Sequence, residues 1–374
     1  MSNNDEKKQK VDKSIQIFPS INFIDVIDDE SSDESSESED ETCNENWDYE
    51  EINREIKDIN DLIELGKMYD SSKKVKYNID LLTLSKLVEP LEKLNSMIGL
   101  ESIKKNLVGQ IIYHLQKLDN CDDDMMHTVI QGSPGVGKTM LGHILGDIYF
   151  NMGIIKGNKK RDKFGNNKYD FKIVKRSDLI GKYLGHTAIK TQKVIDSCKG
   201  GVLFIDEAYS LGNPEGRDSF SKECLDTLNQ NLTENKGNLL CIIAGYKDAL
   251  DSCFFSYNEG LARRFTFRYT IEPYSYEELR LIFIKMVKDI KWTINEKEIP
   301  IDFFKENYSC FENMAGDIET LIFNIKIEHA KRVFCKPNCR KILKYEDIKK
   351  GFNIFCDNRG GKKEKSSLWK TLYI

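Results

Sequence analysis

A chain of 374 residues, 40% hydrophobic and 31% charged, is long enough for two to three folding units around a sizeable core. Its 61 acidic and 56 basic residues give a net charge of −5, yet residues 28–51 alone hold thirteen acids and no Lys or Arg, leaving 48 acids against 56 bases elsewhere. Neither balance is that of a dedicated nucleic-acid binder. The opening MSNNDEKKQK lacks the apolar stretch of a secretory signal, and no apolar run approaches the roughly 18 residues that cross a bilayer, so a cytoplasmic protein with no membrane partner is expected.

Residues 1–50 read as a disordered acidic arm, because acid and serine offer too little to bury against the entropy of ordering. Within it, Ile24–Ile27 is a short β-prone patch before the acid, of the kind that adds to a partner's sheet edge. Ser31, Ser36 and Ser38 each have Glu three residues on, a context acid-directed kinases favour. Residues 51–92 read as a charged helical connector, with apolar sides at Leu62, Ile63 and Leu65 and at Leu81, Leu82, Leu84, Leu87 and Leu91 for packing on the next domain or a neighbouring subunit.

Residues 93–274 alternate apolar runs with helical patterns, which predicts an α/β domain with a parallel sheet. The runs are His127–Gln131, Phe171–Val174, Val202–Ile205, Leu239–Ala244 and the weaker Phe267–Ile271, and their apolar character predicts strands buried on both faces. The spacing then turns helical over Tyr276–Ile290, Ile301–Tyr308, Ile318–Phe334 and Tyr345–Phe355, a small all-α unit spanning 275–358 before a basic tail, 359–374. Ten dispersed cysteines read as reduced thiols, and Cys335 and Cys339 have the spacing of half a zinc site without a second pair nearby. Between Ile154 and Asp170 lies a basic loop with Lys156, Lys159, Lys160, Arg161, Lys163 and Lys168, read as a solvated hairpin or a contact for nucleic acid or an acidic client.

Two motifs carry chemistry. Gly132-Ser133-Pro134-Gly135-Val136-Gly137-Lys138-Thr139 follows an apolar run and precedes the helical pattern of Met140, Leu141, Ile144, Leu145 and Ile148. Glycines at this spacing let successive N–H groups face a phosphate at a helix N-terminus, with Lys138 reaching β/γ oxygens and the Thr139 hydroxyl available to Mg²⁺. Sixty-eight residues beyond Lys138, the run Val202–Ile205 ends in Asp206-Glu207, two carboxylates at the ligand-binding end of a parallel strand. Asp206 suits a Mg²⁺ shell and Glu207 a base that polarises an attacking water. ATP and Mg²⁺ are the expected cofactors.

With these motifs the sequence resembles an AAA+ ATPase of the CbxX/CfqX class, which includes the red-type rubisco activases. The resemblance is carried by LNSMIGLESIKKNL (Leu94–Leu107), the phosphate loop, DLIGKYLGHTAIKT (Asp178–Thr191), GGVLFIDEAYSL (Gly200–Leu211), IIAGYKDAL (Ile242–Leu250) and GLARRF (Gly260–Phe265). It implies a P-loop AAA+ parallel-sheet domain followed by a small all-α lid, assembled as a hexameric homo-oligomer. It sets Met97, Ile98, Gly99 and Leu100 beside the adenine, extends the loop's contacts to Met140, and makes Arg264 a finger to the neighbouring subunit's γ-phosphate, with Arg263 the alternative. Tyr183, in Lys182-Tyr183-Leu184-Gly185, falls at the pore loop that grips a protein client; the competing reading is a Tyr buried against the preceding strand. Where many AAA+ proteins have an Asn the sequence has Ala244-Gly245-Tyr246, a variation the CbxX/CfqX class shares, and it departs from the family at Glu319, where Arg is common; a neighbour such as Lys326 is then the candidate phosphate contact from the lid. ATP hydrolysis coupled to remodelling of a protein client is the leading expectation. A nucleotide-gated scaffold with little turnover and a nucleic-acid-remodelling ATPase are the alternatives.

Overall fold

The computed structural model describes residues 48–118, 125–161, 167–183, 185–212, 218–336 and 340–359. Residues 1–47 of the acidic arm with its serines, Leu184, Cys339 and residues 360–374 of the basic tail lie outside the described residues.

Five parallel strands form the central sheet: β1 (Thr128–Gly132), β2 (Phe171–Val174), β3 (Gly201–Ile205), β4 (Leu239–Gly245) and β5 (Phe267–Ile271), in the order β2-β3-β4-β1-β5. Ile130 of β1 lies between Ala244 and Tyr269. Successive side chains alternate between faces, so each apolar strand feeds two cores. Ile130, Val202, Phe204 and Ile242 join Leu141 and Leu145 on one side, while Val129, Leu203, Ile205 and Ile243 join Leu225 and Leu228 on the other. Burial on both faces holds for the middle strands β3 and β4 but not for the edges: β2 exposes Lys172 and Ile173, and β5 exposes Arg268 and Thr270. An edge strand with charge on one face also resists pairing with another chain.

Among the described residues nine main helices accompany the sheet: α1 (Ile59–Met68), α2 (Leu81–Asn95), α3 (Glu101–Leu115), α4 (Lys138–Asn151), α5 (His186–Asp196), α6 (Ser219–Glu234), α7 (Tyr276–Asp289), α8 (Met314–Val333) and α9 (Tyr345–Asn358). The expected helical connector is only partly helical. Asp48–Glu50, the end of the arm expected to be disordered, is instead a strand that pairs in parallel with Val75–Tyr77 of the connector, and Asn78 clips the ladder by accepting from Ile52 N at 2.9 Å and donating to Ile52 O at 3.0 Å. Within it, Leu62, Ile63, Leu65, Leu81, Leu84, Leu87 and Leu91 are buried in the same core as α4, whereas Leu82 lies off that stripe and is exposed. The apolar sides are therefore satisfied within this chain.

The lid is likewise not purely helical, since Thr293–Ile294 pairs with Ile342–Leu343 in a two-residue parallel ladder. A capping box opens α7: Glu278 N donates to Ser275 Oγ at 3.2 Å and Ser275 N to the Glu278 carboxylate at 2.8 Å. Behind α8 and α9, Asp347 is buried against Arg332 at 2.7 Å and His329 at 3.1 Å. Burial pushes the Asp347 pKa up, but the Arg332 guanidinium, Lys344 N–H and His329 outweigh it and hold it at about 2. No helix among the described residues is long and apolar enough to cross a membrane.

Candidate nucleotide site

Strand order decides where a ligand fits. From β1 the chain crosses to β2 at the far edge, so the C-terminal ends of β1, β3 and β4 open on the crevice where open parallel sheets bind ligands. A cleft of about 500 Å³ lies there, and the lid helices α7 and α8 form its other wall.

The phosphate loop forms its floor. Gly135 and Gly137 adopt φ of +69° and +87°, conformations that cost a side-chain-bearing residue about 1 kcal/mol or more. Behind them the fourteen-residue α4 presents its N-terminal amides. Pro134, Gly135, Gly137, Lys138, Thr139 and the exposed Met140 line the cleft. Gly132, Ser133 and Val136 do not: Val136 is buried in the core, and a Cβ on Gly132 would lie 2.8 Å from Ile271 O. The Lys138 ammonium donates to Gly132 O at 3.0 Å and Ser133 O at 2.7 Å and lies 5.6 Å from the centre of the Tyr246 ring. Burial lowers its pKa, against the opposing pull of Asp206 and Glu207.

Asp206 and Glu207 emerge beside it. Asp206 N–H donates to Val174 O at 2.9 Å, the last bond of the β2–β3 ladder, and its carboxylate accepts from Glu207 N at 3.1 Å. Glu207 is exposed and sits at φ +53°, a left-handed conformation uncommon outside glycine. Such strain concentrates at functional positions. The set of Thr139 hydroxyl and Asp206 carboxylate is made of hard oxygen donors, which fits Mg²⁺, and the left-handed glycines at a helix N-terminus fit a phosphate chain.

Met97 and Ile98 line the cleft, joined by Ile282 and Met286 of α7, a set of apolar side chains suited to a flat base. Gly99 and Leu100 are not among the lining residues; both have positive φ, and a Cβ on Gly99 would meet the Glu278 carboxyl at 2.6 Å. From the lid, Glu319 faces the cleft and Lys326 does not. Two further turns of α8 carry Lys326 about 10 Å along the axis. The lid lysine that does line the cleft is Lys285, which also donates to Ser96 O at 2.5 Å. Sequence reasoning had no signal for it, nor for Tyr274, whose hydroxyl donates to Val136 O at 2.9 Å while its own carbonyl accepts from Tyr308 of the lid at 2.7 Å.

Two candidates lie elsewhere. Arg264 does not line its own chain's cleft; its guanidinium donates to Thr233 Oγ1 at 2.8 Å and Gly260 O at 2.7 Å, while Arg263 is exposed. Tyr183 is 68% exposed, with a T-shaped contact to His186, so the reading of a Tyr buried against the strand is wrong. Cys335 is exposed, and no group of three or more potential His, Cys, Asp or Glu metal ligands occurs among the described residues.

Comparison with known proteins agrees with this geometry. Residues 128–272 match the family described as ATPase family associated with various cellular activities (AAA). A cfxQ-like protein of Acanthamoeba polyphaga mimivirus is 43% identical over 321 residues, covering 84% of this chain and 76% of that protein. A CfxQ homologue of Galdieria sulphuraria is 33% identical over 227 residues, covering 60% of this chain and 70% of the other. The chloroplastic ribulose bisphosphate carboxylase/oxygenase activase of Cyanidioschyzon merolae is 30% identical over 273 residues, covering 70% and 88%. With the phosphate loop, the strand order and relatives that align along most of their length, the chain belongs to the CbxX/CfxQ class of AAA ATPases.

Proposed function

We propose that this protein is a Mg²⁺-dependent ATPase that assembles as a homo-oligomeric, hexameric ring and couples hydrolysis to remodelling of a protein client through Tyr183. The observation that carries the reading is the convergence of the phosphate loop, Asp206 and Glu207 on one cleft at the sheet's C-terminal edge, roofed by the lid. The loop amides and the Lys138 ammonium hold the triphosphate, and Thr139 and Asp206 would hold Mg²⁺ beside it. When bound, the metal would supply neutralisation of the charge on the phosphates. Glu207 orients and polarises the water for in-line attack. Arg264 of one protomer meets the γ-phosphate of the next, which requires it to leave Thr233 and Gly260 O, and the exposed Arg263 is the alternative. Met97 and Ile98 pack on the adenine.

Glu207→Gln tests the central assignment. It is expected to keep ATP binding and assembly while stopping phosphate release, and unchanged hydrolysis would refute the assigned base.

Glu319 favours one second reading. A carboxylate lining the cleft repels a triphosphate bound there where a cation would attract it, which suits a nucleotide-gated scaffold with negligible turnover. Phosphate release that rises with protein concentration supports the enzyme, and none at any concentration supports the scaffold.

A further inference from the structure

Outside the nucleotide cleft, a second cavity of about 470 Å³ opens between the segment after β2 and helix α5. Lys182, Tyr183, His186, Ile189, Lys190 and Lys193 line it, and no carboxylate does. Lys190 anchors the rim by donating to Ser177 O at 2.6 Å and Ile180 O at 2.9 Å. Lys182 and Lys193 are exposed and make no ion pair among the described residues. Two apolar groups stand among these cations, Tyr183 and Ile189, the latter 57% exposed. The chain as a whole is net negative, so a cavity lined by lysines around exposed apolar groups is a local feature and not a consequence of composition.

We propose that this cavity receives an extended polypeptide segment rich in Asp and Glu, its lysines selecting the client by charge while Tyr183 and Ile189 pack on side chains between the acids. The inference rests on the client reading of Tyr183 given above and narrows it to a chemical class. Lysine ammoniums on flexible stems tolerate carboxylates at variable spacing. Nucleic acid is the lesser fit: among the described residues the cavity holds no arginine for bidentate phosphate contacts, and its two rings, Tyr183 and His186, meet edge to face and are not the series of stacking platforms that single strands use.

The test uses full-length protein carrying Glu207→Gln with ATP and Mg²⁺. Anisotropy is read on a fluorescent Glu/Ser/Leu peptide, its Gln/Ser/Leu counterpart and single-stranded oligodeoxythymidine. The acidic peptide is expected to bind about tenfold tighter than the Gln peptide at low salt, with the preference shrinking as salt rises. It is also expected to vanish when Lys182→Glu and Lys193→Glu are added, with binding of a fluorescent ATP analogue reporting that this variant is folded. Equal affinity for the two peptides in protein that binds ATP overturns this inference and leaves the ATPase reading standing. Tighter binding of the oligonucleotide than of the acidic peptide, or a preference that survives both charge reversals, overturns it as well. A parent protein that binds no ATP defeats the nucleotide reading itself.

Discussion

The contact between phosphate loop and lid is sharp enough to be tested by one methyl group. A Cβ built on Gly135 would lie 1.9 Å from Asn313 O and 2.9 Å from Gly316 N. Asn313 cannot yield freely. Its carbonyl accepts from Gly316 N at 3.0 Å, and its N–H donates to the Asp317 carboxylate at 2.7 Å, so retreat by more than 1 Å disturbs the start of α8. Gly237 supplies a matched control, because its φ of +66° equals the +69° of Gly135 within a few degrees and a Cβ there meets nothing within 4 Å. Gly237→Ala bears only the backbone penalty, about 1 kcal/mol. Gly135→Ala adds an overpacking cost of about 2 kcal/mol, for a total of about 3 kcal/mol. Denaturant midpoints measured without nucleotide at constant slope read the difference directly. Equal losses in the two variants would refute the claim that the lid is seated on the loop.

Other consequences can be measured in the same way. His127 is buried, accepting from Cys241 N at Nδ1 and donating from Nε2 to Leu232 O, each at 3.1 Å; desolvation lowers its pKa to about 4. The unfolded chain then binds the extra proton below about pH 6.5, so stability is full above that value and falls by about 3 kcal/mol as pH drops to 4. His127→Gln should flatten that slope, and an unaltered pH profile would contradict the assignment. Asp347→Asn strips the buried partner from Arg332 and should cost about 3 kcal/mol, read by denaturant unfolding; a loss under about 1 kcal/mol would mean the pair is dispensable. Arg264→Ala should cut turnover by about 10³-fold while nucleotide still binds. Mixing it with Glu207→Gln should restore activity, because each protein supplies what the other lacks across the interface, and no gain over the separate proteins would argue against a finger acting in trans.

What could be read from sequence was what burial and local geometry write into it. Val202–Ile205 and Leu239–Ala244 stood out because strands covered on both faces leave no polar gaps, and Gly132–Thr139 because Gly135 and Gly137 are required by positive φ. Helix α8 starts at Met314, four residues before the apolar pattern suggests, since the bonds between Asn313 and Asp317 carry the helix back one turn. The Asp48–Glu50 ladder was illegible: its residues are exposed, two of the three are acids, and it is held by backbone pairing to Val75–Tyr77 and by the Asn78 side chain, 26 residues from Ile52, which no local pattern encodes. The lid wall of the cleft was hidden for a similar reason. Lys285 and Tyr274 acquire their places through the packing of α7 against the core, which no local pattern encodes, whereas Lys326 follows Glu319 in sequence but sits two turns away.

On the proposed reading, the cleft has two physical outlets, and each begins at a residue the nucleotide would touch or border. Val136, inside the phosphate loop, is bonded to Tyr274, and Tyr274 to Tyr308, so a shift of the loop is carried to the lid through two hydroxyls of fixed length. Glu207, at φ +53°, is followed by the turn in which Ser210 N donates to its carbonyl at 2.8 Å. The Ser210 carbonyl in turn accepts from Arg176 at 2.6 Å, and the same guanidinium bonds Ser221 Oγ and the Asp218 carboxylate at the head of α6. Arg176 opens the short helix Arg176–Leu179, the segment that runs on to Tyr183. A rearrangement at Glu207 therefore reaches the Tyr183 segment through one side chain with three anchors, without passing through the lid. On that reading, two separately bonded paths leave the cleft, one through Tyr274 to the lid and one through Arg176 to the Tyr183 segment, so a lid that carries Glu319 in place of a cation is not the only element bonded to the nucleotide site.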